Sequence, residues 1–321
     1  MKDFIDKPLP VAEAAEKQKG LNWFLEILVF VLVFVVSFFA LVIVVLPGEL
    51  VMFSTNQVYQ EAVASGNASE IVAASNQIAQ TDAYMILSLF ADIAMIVVVC
   101  LFCKLIQKRG LRTMGFRREH AGREYLIGAL AGFLFFSAAV LLGVLTGGLK
   151  ITGISSQFSI GIFILYLLGY MIQGMAEEVL CRGYLMVSIG RRYPMYAAVL
   201  TNALFFAALH LMNDGITVLA FINLALFGIF ASMYFIRRGN IWGIGAFHSI
   251  WNLVQGNFYG IRVSGMPMGN SLFETVSQEG KDLLNGGAFG MEGSIWVTVV
   301  LAVGIVFLYI RKNQGKEEAA A

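Results

Sequence analysis

Long apolar runs alternate with short polar stretches from residue 23 onward. The first, Trp23 to Leu46, is followed by Pro47-Gly48, and others cover 84–103, 125–146, 159–189, 195–212, 216–236, 241–259 and 294–310. The hydrocarbon layer of a bilayer is about 30 Å thick and a helix rises 1.5 Å per residue, so about 20 apolar residues span it. These runs predict an all-α, polytopic membrane protein with eight transmembrane helices. Residues 1–22 are expected to form a cytoplasmic N-terminal segment, 23–312 a single transmembrane domain and 313–321 a cytoplasmic tail. Within the domain, 47–82 and 261–293 are expected to be extracytoplasmic loops, the first with a short helix near 56–80. The first apolar run starts too late and runs too long to be the h-region of a signal peptide.

Composition sharpens this picture. The chain is 58% hydrophobic and 13% charged, against about 25% charged in soluble domains, and its mean hydropathy is +0.76. Eight spans use nearly the whole length, which leaves little room for a soluble domain. A net charge of +1 argues against a nucleic-acid partner. Cys100 and Cys103 form a C-x-x-C, but inside an apolar run, where packing is expected rather than redox or zinc chemistry. Cys181 is expected to pack as well.

Basic residues favour cytoplasmic loops. With the N-terminus inside, only Lys150, Arg262 and Lys281 of the 22 basic residues fall on the outer side. Both termini are therefore expected to be cytoplasmic. A cell membrane is the expected location, with a bacterial plasma membrane as the default.

Candidate chemistry lies inside the spans, where ionisable side chains are expensive and mark function. The fourth run contains Glu177, Glu178 and Arg182. Glu178 and Arg182 are four residues apart, share a helix face and can pair. Glu177 points about 100° away and has no obvious local partner. Two of the three histidines also fall in spans, as Phe206-x-x-x-His210 and His248-x-x-x-Asn252, each pair spaced for one helix face. By helical rise, Glu177, His210, His248 and Asn252 lie roughly 10–23 Å from the inner boundary, so they can meet within the membrane. A carboxylate can act as general base on water. Two histidines can bind a metal with Glu177 or donate to an oxyanion, and an Asn amide can donate to that oxyanion or orient a histidine. Together these groups suit water attack on an amide. There is no H-E-x-x-H zinc helix, and Gly153-Ile154-Ser155 lacks the second Gly of a serine-hydrolase elbow.

In order and spacing, E-E-x-x-x-R (Glu177, Glu178, Arg182), F-x-x-x-H (Phe206, His210) and H-x-x-x-N (His248, Asn252) resemble the motifs of the CPBP family. That family comprises CAAX prenyl proteases and bacteriocin-processing enzymes and is also called Abi. The resemblance covers about 125–260. It implies an eight-helix intramembrane endopeptidase acting on a peptide or membrane-protein substrate. Glu177, His210, His248 and Asn252 would be catalytic, with Glu178, Arg182 and Phe206 supporting. It leaves two mechanisms open: Glu177-activated water alone, or a metal, Zn²⁺ by donor type, held by Glu177, His210 and His248. Two other readings use the same polar core: a non-catalytic membrane binding or bacteriocin-immunity protein, and a transporter, although no inverted repeat is evident.

Overall fold

The computed structural model describes residues 7–310; the predicted tail, 313–321, lies outside them. The helices are α1 (Leu9–Lys17), α2 (Trp23–Thr55), α3 (Gln57–Ser65), α4 (Ala68–Ala79), α5 (Asp82–Ala91), α6 (Ile93–Leu105), α7 (Ala121–Leu145), α8 (Ile160–Glu178), α9 (Val187–Arg192), α10 (Met195–Ala208), α11 (Val218–Arg238), α12 (Trp242–Leu253), α13 (Asp282–Asn285) and α14 (Ile295–Ile310). Every apolar run of the sequence is helical. Five rods are long and apolar enough to cross a bilayer: Trp23–Thr55, Asp82–Leu105, Ala121–Leu145, Ile160–Arg192 and Val218–Arg238. Two apolar helices are shorter, Met195–Ala208 and Ile295–Ile310. α12 extends through a π-helical turn, Val254–Phe258. The chain is an all-α, polytopic membrane protein. Large apolar side chains on its outer surface, such as Leu32, Phe39 and Ile43 of α2, are exposed, as a lipid-facing wall requires.

Four features depart from the sequence expectation. α2 does not stop at Pro47-Gly48 but continues to Thr55. Proline removes one hydrogen bond, whereas unwinding among lipid-facing residues would strand several, so a membrane helix tolerates it. α10 ends at Ala208 rather than near 212. The polar residues that follow turn the chain, and Asn213 donates to the Ser264 carbonyl at 3.0 Å. The short connection between the third and fourth apolar runs pairs with the expected loop 261–293 in a two-stranded antiparallel sheet, β1 (Leu149–Ile154) with β2 (Phe273–Ser277), irregular between Ile151 and Gly153. Residues 57–79 are more helical than expected, as α3 and α4. Asn67, of the glycosylation-type Asn67-Ala68-Ser69, caps α4 by accepting from Ser69 N.

The site is positioned chiefly by α7, α8 and α12. Gly128 and Gly132, one helical turn apart on α7, let α12 approach backbone to backbone. A Cβ on Gly128 would lie 1.8 Å from the Gly243 carbonyl oxygen, and one on Gly132 would lie 2.4 Å from that of Phe247. This is the small-residue packing that drives helix association where lipid removes the hydrophobic contrast. Gly128→Ala is expected to destabilise the fold by about 1–3 kcal/mol, the usual cost of overpacking. An unchanged unfolding temperature in detergent would show that α7 and α12 can separate freely. Buried ion pairs brace the end expected to be cytoplasmic. Glu26 of α2 accepts from Arg191 of α9 at 3.0 Å, and Glu124 of α7 pairs with Arg238 of α11.

Candidate active site

Glu177 and Glu178 close α8, where the rod widens into a π-helical stretch, Val179–Met186. π-turns are rare and concentrate at functional sites. The second, Val254–Phe258, begins two residues after Asn252. The adjacent glutamates face different surroundings. Glu178 is fully buried, as is Arg182, and Arg182 Nη1 donates to Glu178 Oε1 at 2.8 Å. Arg182 also donates to the Gly228 carbonyl at 3.3 Å and stacks over the Phe206 ring, 4.7 Å from its centroid. Glu177 keeps 25% of its side chain accessible and lines a cavity of about 650 Å³.

The same cavity is lined by His210, His248, Asn252 and Gln173. His248 Nδ1 lies 2.9 Å from Glu178 Oε1. Arg182 holds Glu178 as a carboxylate, which can only accept, so Nδ1 carries the proton and donates. His248 Nε2 then faces Glu177 Oε2 at 3.7 Å, a separation that one oxygen atom can bridge by hydrogen bonds to both. His210 sits in the turn just past α10, not on the helix. Its Nδ1 donates to the Phe206 carbonyl at 2.8 Å, which leaves Nε2 as the free ring nitrogen. The F-x-x-x-H spacing therefore works through a backbone carbonyl as well as through the expected side-chain contact, with the two ring centroids 5.0 Å apart. Phe206 contributes its ring to Arg182 and to Phe227, whose centroid is 5.4 Å away.

The sequence reading left Glu177 without a local partner. It has one: Gln173 Nε2 donates to Glu177 Oε1 at 2.5 Å. Gln173 Oε1 in turn accepts from Asn252 Nδ2 at 2.9 Å, so Asn252 holds the Gln173–Glu177 pair. His248 is oriented by Glu178, the carboxylate expected to serve Arg182 alone. Gln173 was legible in principle, being one helical turn before Glu177. The Glu178–His248 bond, across 70 residues of sequence, had no local signal. Asp92, in the second apolar run, also lines the cavity; an acidic residue inside a span was its available signal.

A metal site would need three of these donors to converge. The histidine tautomers, with Nδ1 committed and Nε2 free, suit metal ligation. Among the described residues, however, no group of three His, Cys, Asp or Glu side chains is placed to hold a metal ion. Glu177, His210 and His248 line one cavity without forming such a set. The cysteines are free thiols, with Cys103 and Cys181 buried and Cys100 partly so.

Residues 159–254 match the family model described as type II CAAX prenyl endopeptidase, Rce1-like. No curated protein and no solved structure gives a significant match. The matched segment runs from the residue before α8 to the residue after α12. It contains both glutamates, Arg182, Phe206, both cavity histidines and Asn252, all the side chains whose geometry has just been described. Through this segment, just under a third of its length, the chain is similar to the CAAX-protease family of membrane endopeptidases.

Proposed function

We propose that this protein is an intramembrane endopeptidase in which Glu177 activates the water that attacks a peptide carbonyl. One observation carries the reading: Glu177 Oε2 and His248 Nε2 face each other across 3.7 Å at the wall of a cavity that also takes in His210 and Asn252. The hydrogen bond from Gln173 occupies Oε1, so Oε2 is the atom that takes the proton from water. The hydroxide equivalent adds to the carbonyl carbon, and the proton passes from Glu177 to the leaving amine as the C–N bond breaks. Asn252 spends one amide hydrogen on Gln173 and has a second for the oxyanion. His248 and His210, with Nδ1 fixed, meet the oxyanion through Nε2 as imidazolium rings whose second proton comes from solvent. Glu178 and Arg182 do not touch the reacting atoms; they set the ring plane and tautomer of His248. No step requires a metal.

The test is comparative peptidomics of membranes from cells making the wild type or Glu177→Ala. Cleavage products confined to the wild type are expected. Identical peptide sets, with both proteins equally abundant, would favour the non-catalytic binding or immunity reading.

We also propose a cell-membrane orientation with both termini cytoplasmic, from the basic-residue asymmetry. Single cysteines at Ser65 or Ser277, both exposed, should react with an impermeant thiol reagent in intact cells. A cysteine at exposed Arg118 should not; Thr113 is unsuitable as a probe because it is buried. Labelling at Arg118 with protection of the other two would reverse the orientation.

A further inference from the structure

The cavity is more acidic than the hydrolysis requires. Besides Glu177, it is lined by Asp92, Asp214 and Glu292, and by no Lys or Arg. Glu292 is accounted for: it accepts from Ser264 N and Oγ at 2.8 Å and from Trp251 and Gln255 at 3.3 Å. Asp214 lies in the exposed turn after α10. Asp92 remains. It interrupts the Asp82–Leu105 rod between α5 and α6. It occupies the N-cap position of α6, yet its side chain makes no capping bond. Among the described residues its carboxylate has no hydrogen bond or ion pair, and the charge acting on it is that of another carboxylate, Glu177.

An intramembrane carboxylate is costly and is normally paired or facing a water-filled pathway. Two acidic side chains on one cavity, with no cation fixed beside them among the described residues, ionise together only at a cost that a bound cation would remove. The remainder of the wall is largely apolar, including Phe34, Leu41, Met95 and Leu224. Such a chamber suits an apolar chain that brings one positive charge of its own. It offers no fixed cation to a substrate's terminal carboxylate.

We propose that the cavity binds an apolar peptide segment carrying a Lys or Arg side chain, with Asp92 as the counter-ion for that charge. This rests on the endopeptidase reading of the cavity and names the substrate class that the reading leaves open. The cation enters between Asp92 and the site and leaves Glu177 free to take the water's proton. Selection is then made by charge inside the membrane, and the scissile bond is internal to the chain.

The test uses the full chain in nanodiscs of zwitterionic lipid and fluorescent apolar peptides whose amides are N-methylated against cleavage. Lys is walked through the central positions and compared at each with norleucine and Glu, with binding read by anisotropy. At one or more positions Lys should bind about tenfold or more tightly than norleucine, with Glu the weakest. Asp92→Asn should bring Lys and norleucine to within about twofold of each other, and Asp92→Glu should restore the preference. Equal affinities at every position, or a Lys preference that survives Asp92→Asn, would overturn the proposal. If Asp92→Asn does not fold, the three-peptide comparison on the unaltered chain decides alone. Because these peptides cannot be cleaved, the result is independent of turnover. A cation preference together with full hydrolysis by Glu177→Gln would reject the mechanism and keep the binding site.

Discussion

Replacing Glu177 by Gln is expected to slow peptide hydrolysis by about 10²–10⁴-fold, the range that a positioned general base supplies, while leaving the unfolding temperature near wild type. The side chain keeps its shape, and its amide oxygen still accepts from Gln173. It makes no ion pair with Arg or Lys among the described residues and is partly accessible to the cavity, so little folding energy depends on its charge. The loss should appear in kcat more than in KM, because the proton is taken only as the transition state forms. His210→Ala and His248→Ala should also lose activity, since oxyanion contacts are worth several kcal/mol in the transition state. Asn252→Ala should fall by a similar or smaller factor. Prolonged chelation followed by Zn²⁺ is the complementary measurement. An enzyme working through Glu177 alone is unaffected, whereas one using Zn²⁺ loses activity and regains it. Full turnover by Glu177→Gln on a verified substrate would remove this residue as the base.

Arg182→Ala is expected to act on the fold before it acts on the chemistry. The guanidinium and the Glu178 carboxylate are both fully buried and 2.8 Å apart. Deleting one partner leaves a buried charge uncompensated, at a cost of about 3–5 kcal/mol. Phe206 loses its stacked cation, and the Gly228 carbonyl loses a donor. A fall in abundance and in detergent unfolding temperature is therefore predicted, with activity falling in parallel. Arg182→Lys should be intermediate, because an ammonium keeps the charge but not the planar, multiply donating geometry. The double change Glu178→Leu with Arg182→Met should recover part of the stability, since an apolar pair of similar volume often replaces a buried ion pair without loss. A single Arg182→Ala variant as stable as wild type would mean that the pair contributes nothing to the fold.

The architecture was legible because a bilayer imposes length and apolarity on each span, and both can be read locally. The positions where that reading erred are positions where local rules compete. Pro47 is a helix breaker in water, yet α2 passes through it. The turn holding His210 is fixed by Asn213 reaching Ser264, a contact set by tertiary structure. The two-stranded sheet pairs Leu149–Ile154 with residues more than a hundred positions later, and neither strand carries enough pattern to announce itself. The motif spacings pointed to side chains that the fold brings together, but not to all their bonds. The Glu178–Arg182 pair follows from helix geometry, and so would Gln173–Glu177. The bonds from Glu178 to His248 and from Gln173 to Asn252 join α8 to α12, which meet closely at Gly174, where a Cβ would lie 2.6 Å from Ser249 N.

The two adjacent glutamates divide the motif residues into halves with different reasons to persist. Glu178, Arg182, Phe206 and His248 form a buried polar cluster whose loss damages the fold whether or not any bond is cut. Glu177, with Gln173 and Asn252 behind it, faces the cavity and, in the mechanism we propose, serves mainly the reaction. A descendant that abandoned catalysis for binding alone would be free to change Glu177 while still constrained to keep Glu178 and Arg182. Most of the motif would survive in such a protein as a requirement of assembly. When chains that carry these motifs are sorted into cutters and binders, the first glutamate and the glutamine one turn before it are therefore the informative positions, and the second glutamate with its arginine is not.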